Sequence, residues 1–269
     1  MTSINILFIG DVVGRSGRKI LKDKLPSLKQ QYMLDFVFCN GENSAGGLGI
    51  TAAIAGELLN YGIDGITLGN HIWSQKIWLQ QAAHFKQICR PLNAPADWPG
   101  FDHVYLEKDD CDILLISLMG QAFMNPILNN PFQVIDQMLP KFKDKYHTKN
   151  IIIDYHAEST AEKITMGYFL EDRVLAVLGT HTHVQTADEK ILGNGTAFIT
   201  DVGMTGPTNG VLGMSKQVAV ERAMNLLPAM YNIEKDSFTM LNAVLMTIDP
   251  IAGQAKKIER IQIFDHVFE

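Results

Sequence analysis

The sequence predicts an α/β fold of two packed sheets, and three observations carry that prediction. Apolar runs of strand length alternate with amphipathic stretches of helix length through the first quarter of the chain, as in βαβ units. The rest is rich in short β-type runs with few helices between them. No repeat, low-complexity tract or long Gly/Ser linker divides the 269 residues, so residues 1–269 are read as one domain.

In chain order, residues 5–9 read as a strand, 18–31 as a helix and 36–39 as a second strand. A helix over 51–60 comes next, with Thr51 as its N-cap and Gly62 as its stop, and then a strand over 65–68. Runs at 113–118, 151–155, 174–178, 197–200, 243–248 and 258–264 read as strands, with helices only over 132–146 and 218–227. That scarcity of helices predicts a more antiparallel second half. Pro91, Pro95 and Pro99 make 91–102 the most loop-like stretch, a crossing connection or a lid.

Apolar residues make up 46% and charged residues 19%, which excludes a disordered or fibrous chain. Twenty-three Lys and Arg against 29 Asp and Glu leave a net charge of −6, which argues against a broad footprint on nucleic acid but not against a small phosphorylated substrate. No apolar run approaches the ~18 residues of a membrane span, and 4–9 is too short for a signal peptide, so the expectation is a cytoplasmic protein. Cys39, Cys89 and Cys111 form no Cys-x-x-Cys pair and read as reduced packing residues, so any metal is held by other side chains.

The residues just beyond the strands are the informative ones. The strands run into Gly10-Asp11, Asn40-Gly41-Glu42-Asn43, Gly69-Asn70-His71, His156, and Gly179-Thr180-His181-Thr182-His183. Parallel strands share one carboxyl edge, so these residues converge on one crevice. The separations from Asp11 to Glu42 and from Glu42 to Asn70 are each close to the roughly 30 residues of a βαβ unit. Gly10, Gly41 and Gly69 would let the backbone turn sharply there.

Taken singly, Asp11 reads as a helix N-cap, Asn43 and Asn70 as turn residues, Glu42 as a solvated charge and His156 as a satisfied histidine. The joint pattern reverses that. His71, His156, His181 and His183 all fall just beyond strands, whereas His84, His103, His147 and His266 read as surface residues. His181 and His183, two apart, would share a side in extended backbone. Carboxylate, imidazole and amide oxygen suit iron, manganese or zinc rather than calcium. Asp11, Glu42, Asn43, Asn70, His156, His181 and His183 are enough for two ions if one carboxylate bridges them.

Gly10-Asp11, Gly41-Glu42-Asn43, Gly69-Asn70-His71, His156 and Gly179-Thr180-His181-Thr182-His183 resemble, in order and spacing and over nearly the whole chain, the metallophosphoesterase superfamily. Two departures narrow it: the usual Asp-x-His is Asp11-Val12-Val13, and the usual bridging Asp is Glu42, followed by Asn43. These, with Asp154-Tyr155-His156-Ala157-Glu158 and Thr200-Asp201-Val202-Gly203-Met204, resemble the bacterial YmdB-like branch.

The resemblance implies a four-layer α/β/β/α sandwich of two mixed sheets and a dinuclear phosphodiesterase acting on cyclic nucleotides, 2′,3′-cyclic and in addition 3′,5′-cyclic ones. It implies two metal ions per chain, iron or manganese with zinc compatible, held by Asp11, Asn43 and His183 on one side and Asn70, His156 and His181 on the other. Glu42 would stand between them, His71 would be the general acid, and Asn43 would supply the oxygen that replaces the missing imidazole. Competing readings are a phosphomonoesterase or RNA-end phosphatase or nuclease, and a regulatory protein whose metal site does not turn over. The expected partner is a small phosphorylated substrate, with RNA left open and neither DNA nor membrane expected. A homo-oligomer is expected without a residue pattern that derives it. Arg15 and Arg18 are positioned to meet a phosphate or are solvated helix charges, and Met204, Met214, Met224 and Met230 read as core filler. The stretches 91–102 and 159–165 are where substrate specificity is expected.

Overall fold

The structure is a computed structural model that describes residues 3–108, 111–227, 232–235 and 238–266. Its first sheet is built from β1 (Ile4–Ile9), β2 (Asp11–Val12), β3 (Phe36–Asn40), β4 (Gly65–Thr67) and β5 (Ile88–Cys89), joined by α1 (Gly14–Gln31), α2 (Ala52–Asn60) and the short α3 (Trp78–Gln81). The second holds β6 (Val104–Lys108), β7 (Cys111–Met119), β8 (Ile151–His156), β9 (Ala176–Thr180), β10 (Lys190–Leu192) and β11 (Thr196–Ile199), with α4 (Pro131–Tyr146) and α5 (Thr160–Phe169) between its central strands. The chain then returns to the first sheet through β12 (Met204–Pro207), α6 (Lys216–Asn225), β13 (Phe238–Asp249) and β14 (Gln254–His266).

Strand alternation decides the layers. In β1, Leu7 and Ile9 pack with Ile20, Leu21 and Leu25 of α1, while Ile6 and Phe8 face Ile113, Leu115 and Ile152 of the second sheet. Beyond that sheet, Leu114, Ile116 and Ile153 pack with Ile135 and Leu139 of α4 and Met166 of α5. The order is helices, sheet, sheet, helices, the expected four-layer sandwich of two mixed sheets. Phe8, Phe36 and Phe38 fill the space between the sheets, and truncating one to Ala would cost about 3–5 kcal/mol.

The first sheet runs β2-β12-β13-β1-β3-β4-β5, with β14 on β13. β1, β3, β4 and β5 are parallel, and β13 runs antiparallel beside β1. The second runs β10-β11-β9-β8-β7-β6, parallel through β11, β9, β8 and β7. The second half of the chain is the more antiparallel, as expected, through the pairings of β13 with β1, β12 and β14, but these belong to the first sheet, and the second sheet is antiparallel only at its edge strands. The helix missing from the expected order between β8 and β9 is α5, capped by Ser159, whose side chain accepts from the Glu162 amide. Residues 160–165 of the stretch where specificity is expected lie in this helix. Residues 91–102 are the connection that crosses from β5 of one sheet to β6 of the other, with Leu92, Asn93 and Ala94 buried.

Candidate metal centre

The parallel strands deliver their side chains to one edge. Asp11 follows β1, Glu42 and Asn43 follow β3, Asn70 and His71 follow β4, His156 ends β8, and His181 and His183 follow β9. Asp11, Glu42 and His156 have no solvent exposure and Asn43 is 3% exposed, so the solvated-charge reading of Glu42 fails. The N-cap of α1 is Val13 without a side-chain bond, so Asp11 is no cap either.

Glycine admits this crowding. A Cβ on Gly10 would lie 1.8 Å from the Gly203 carbonyl oxygen, and one on Gly41 2.7 Å from Ile66 Cγ2. Neither these nor Gly69 adopts a left-handed φ, so close approach, not a sharp turn, requires them. The left-handed residues are His181 (φ 103) and His183 (φ 66), which corrects the extended-backbone expectation for that pair. They turn to different partners: His181 Nδ1 to His156 Nε2 at 3.0 Å, His183 Nε2 to the Asn43 amide at 3.2 Å.

Each imidazole is set by what holds its other nitrogen. Thr180 Oγ1 donates to Asp154 Oδ1 at 2.7 Å, so its lone pair accepts from His156 Nδ1–H at 2.8 Å, which leaves the His156 Nε2 lone pair inward. His181 Nε2 is 3.2 Å from Glu158 Oε2, and His183 Nδ1 donates to the Leu212 carbonyl at 3.0 Å. Around His156 Nε2 stand Asn70 Oδ1 at 2.9 Å, Glu42 Oε1 at 3.0 Å and His181 Nδ1 at 3.0 Å. Glu42, His156 and His181 place one donor atom each within 4.8 Å of one another.

Four electron-rich atoms at such separations need a shared positive charge, and cis ligands about 2.1 Å from a cation lie about 3 Å apart. The residues therefore fit a metal ion. Asp11 adds a second sign: its Oδ2 accepts from the His181 amide at 3.1 Å, while its buried Oδ1 has no hydrogen-bond partner. Asp11 and His183 are not part of the tight trio. Asn43 is oriented as a donor, its Nδ2 3.2 Å from both Glu42 Oε1 and His183 Nε2, so it offers the expected oxygen only if the amide turns over.

The electrostatics agree. Burial pushes the Asp11 carboxyl up to about 6 against the pull of His183 and His156. Burial opposes ionisation of Glu42 too, but the charge and hydrogen bond of His156, with His71, hold it at about 2. Burial would lower His156, yet Glu42 and Asp11 raise it to about 9, so without a metal a proton takes the cationic place. Burial, then His156, depresses His181 to about 3. His71 donates its backbone amide to Glu42 Oε2 at 3.1 Å, and its ring, 3.5 Å from Ser74 Oγ, has its pKa lowered by burial.

The remaining candidates separate. Arg18 is held within the fold by Glu57 and the Ser44 carbonyl. His103 is not a plain surface residue, being wedged between Asp102 and the Tyr146 hydroxyl. Met204 is core, Met224 is exposed, and Met230 lies outside the described residues. Thr180, Asp154 and Glu158, which orient imidazoles, lie within the motifs that carry the resemblance but receive no role of their own from it; Asp154 and Glu158 flank His156 at two residues on either side. Among the described residues no helix is long and apolar enough to cross a membrane.

The YmdB-like protein model matches residues 7–261. The chain belongs to the YmdB-like family. It is 42% identical over 266 residues to a 2′,3′-cyclic-nucleotide 2′-phosphodiesterase of Bacillus subtilis, covering 98% of this chain and 99% of that one. It is 34% identical to a putative phosphatase/phosphodiesterase of Mycoplasma pneumoniae over 98% of this chain and 95% of the relative. A crystal structure of a phosphatase from Mycoplasma pneumoniae superposes with a TM-score of 0.93 at 33% identity, covering 99% of this chain and 95% of the other. A protein of Thermus thermophilus does so at 0.90 and 32%, covering 97% and 100%. The YmdB-like likeness thus spans both sheets and every strand end at the candidate centre.

Proposed function

We propose that the chain hydrolyses 2′,3′-cyclic nucleotides, using two divalent cations, iron or manganese, with His71 as proton donor. The observation that carries this reading is the set of inward lone pairs on His156, His181, Asn70 and Glu42, supported by the cyclic-nucleotide activity in the name of the Bacillus subtilis relative. Asn70, His156 and His181 would hold one cation, Asp11, Asn43 and His183 the other, and Glu42 would face both. When bound, such ions make water a competent nucleophile near neutral pH and neutralise phosphoryl charge.

The chain's own residues do the rest. Asp154, through Thr180, keeps His156 in the tautomer that faces the crevice. Glu42 anchors the His71 amide, which sets the His71 ring at the edge of the donor cluster. As water adds to phosphorus and the P–O2′ bond breaks, the His71 ring gives its proton to the leaving ribose oxygen. An anionic phosphate beside His71 raises its proton affinity, opposing the effect of burial.

The test is hydrolysis of 2′,3′-cyclic AMP beside 3′,5′-cyclic AMP and an aryl phosphate, with Mn²⁺ and with chelator. Chelator-sensitive turnover of the 2′,3′-cyclic diester is expected; turnover of the aryl phosphate alone would make the enzyme a phosphomonoesterase, and no turnover by metal-loaded protein would move it to a regulatory role. His71→Ala should keep Mn²⁺ and lose about 10²–10⁴ in rate, whereas Glu42→Ala should lose the metal. Equal metal content and equal activity in both variants would refute the roles.

A further inference from the structure

Residues 200–203 carry the chain from β11 of the second sheet into β12 of the first. Asp201, wholly buried there, gathers four donors. Its Oδ2 accepts from Lys163 Nζ at 2.6 Å, the Thr182 amide at 3.0 Å and Thr182 Oγ1 at 2.7 Å, and its Oδ1 from the Gly203 amide at 2.8 Å. Lys163, on α5, is 1% exposed. A buried ion pair contributes little net stability, because desolvation offsets the attraction. Its geometry offers a different use.

Thr182 stands between His181 and His183, both in left-handed backbone that residues with a Cβ adopt only where the surroundings over-determine it. Both donors of Thr182 end on Asp201. On the other arm, Gly203 (φ 83) accepts the Asp11 amide at its carbonyl, 3.0 Å away. One carboxylate, neutralised by one ammonium, therefore joins the histidine turn of the second sheet to Asp11 of the first.

We propose that Lys163 and Asp201 are positioning residues that set His181 and His183 against Asp11 across the seam between the sheets. The cation-binding consequence rests on the metal reading above; the backbone consequence does not. The test compares wild type with Lys163→Met/Asp201→Ala, which removes both charges together, and with Thr182→Val and its conservative counterpart Thr182→Ser. Amide hydrogen exchange at His181 and Thr182 is followed in metal-free protein, and Mn²⁺ affinity by calorimetric titration.

In the double variant those two amides exchange about tenfold faster while amides of β8 keep wild-type rates, and Mn²⁺ affinity falls about 10- to 100-fold. Thr182→Val shows the same changes to a smaller degree, and Thr182→Ser restores both. Wild-type exchange at the turn and wild-type Mn²⁺ affinity in the double variant overturn the proposal. If that variant does not fold, the Thr182 pair decides, and equal behaviour of Thr182→Val and wild type overturns it. If wild-type protein takes up no Mn²⁺, the metal reading falls and the exchange measurement alone judges the positioning role.

Discussion

A methyl group on Gly69 would lie 2.3 Å from His156 Cδ2, a contact that no side-chain adjustment relieves without moving the imidazole. The same methyl would meet Glu42 Oε2 at 2.4 Å. Because Gly69 lacks a left-handed φ, its backbone accepts alanine and the strain falls on the donor cluster. Gly69→Ala should cost roughly 1–3 kcal/mol by overpacking and abolish tight Mn²⁺ uptake, read by thermal unfolding and metal analysis. Undiminished uptake would show that His156 is not a ligand.

Thr180→Val keeps the shape of the side chain and removes the hydroxyl between His156 and Asp154. Both partners are wholly buried, so the loss should be about 1–3 kcal/mol. Mn²⁺ affinity should fall about 10- to 100-fold as the imidazole loses its fixed tautomer. Thr180→Ser, which keeps the hydroxyl, is the control; identical titrations for Val and Ser would refute the tautomer argument.

Glu158 acts from the rim. Its side chain is 49% exposed, so Glu158→Gln should leave stability within about 0.5 kcal/mol of wild type. It should nevertheless weaken Mn²⁺ binding, because His181 Nε2 loses its charged acceptor. The difference should shrink as ionic strength rises, since an exposed charge is screened. A salt-independent difference would place the effect elsewhere.

Asp188 gives the acid side of the stability profile. Burial opposes its charge, but hydrogen bonds from Thr186 and Thr200 hold its carboxyl below the usual range. A depressed folded pKa adds stability that is present above the unfolded value of about 3.9 and is lost as pH falls through the folded one. Asp188→Asn should therefore be less stable than wild type by roughly 1 kcal/mol near neutral pH, and the gap should close as pH falls through the lowered folded value. Urea unfolding across that range checks the sign; a gap that widens in acid contradicts it.

The donor cluster was legible because each member directly follows a hydrophobic strand, and strand ends are where sequence position and spatial position coincide. Residues that orient the cluster were not, because hydroxyls such as Thr180 and carboxylates such as Glu158 acquire meaning only from partners many residues away. The helix α5 escaped because its buried face consists of Lys163, Met166 and Gly167, where a charge interrupts the apolar stripe. Without that helix the parallel strands β8 and β9 lacked a visible crossover, and the parallel character of the second sheet stayed hidden. β12, Met-Thr-Gly-Pro, has the composition of a turn and becomes a strand only between β2 and β13.

The strand that sits beside β1 is β13, which comes late in the chain, and its Asn242 carbonyl takes the amide of Gly10, the residue before Asp11. The earliest strand is thus finished by one of the last. The sheet edge that carries Asp11 is therefore closed by a pairing of very long sequence separation, which makes it a slow contact to form and ties the position of Asp11 to residues 238–249.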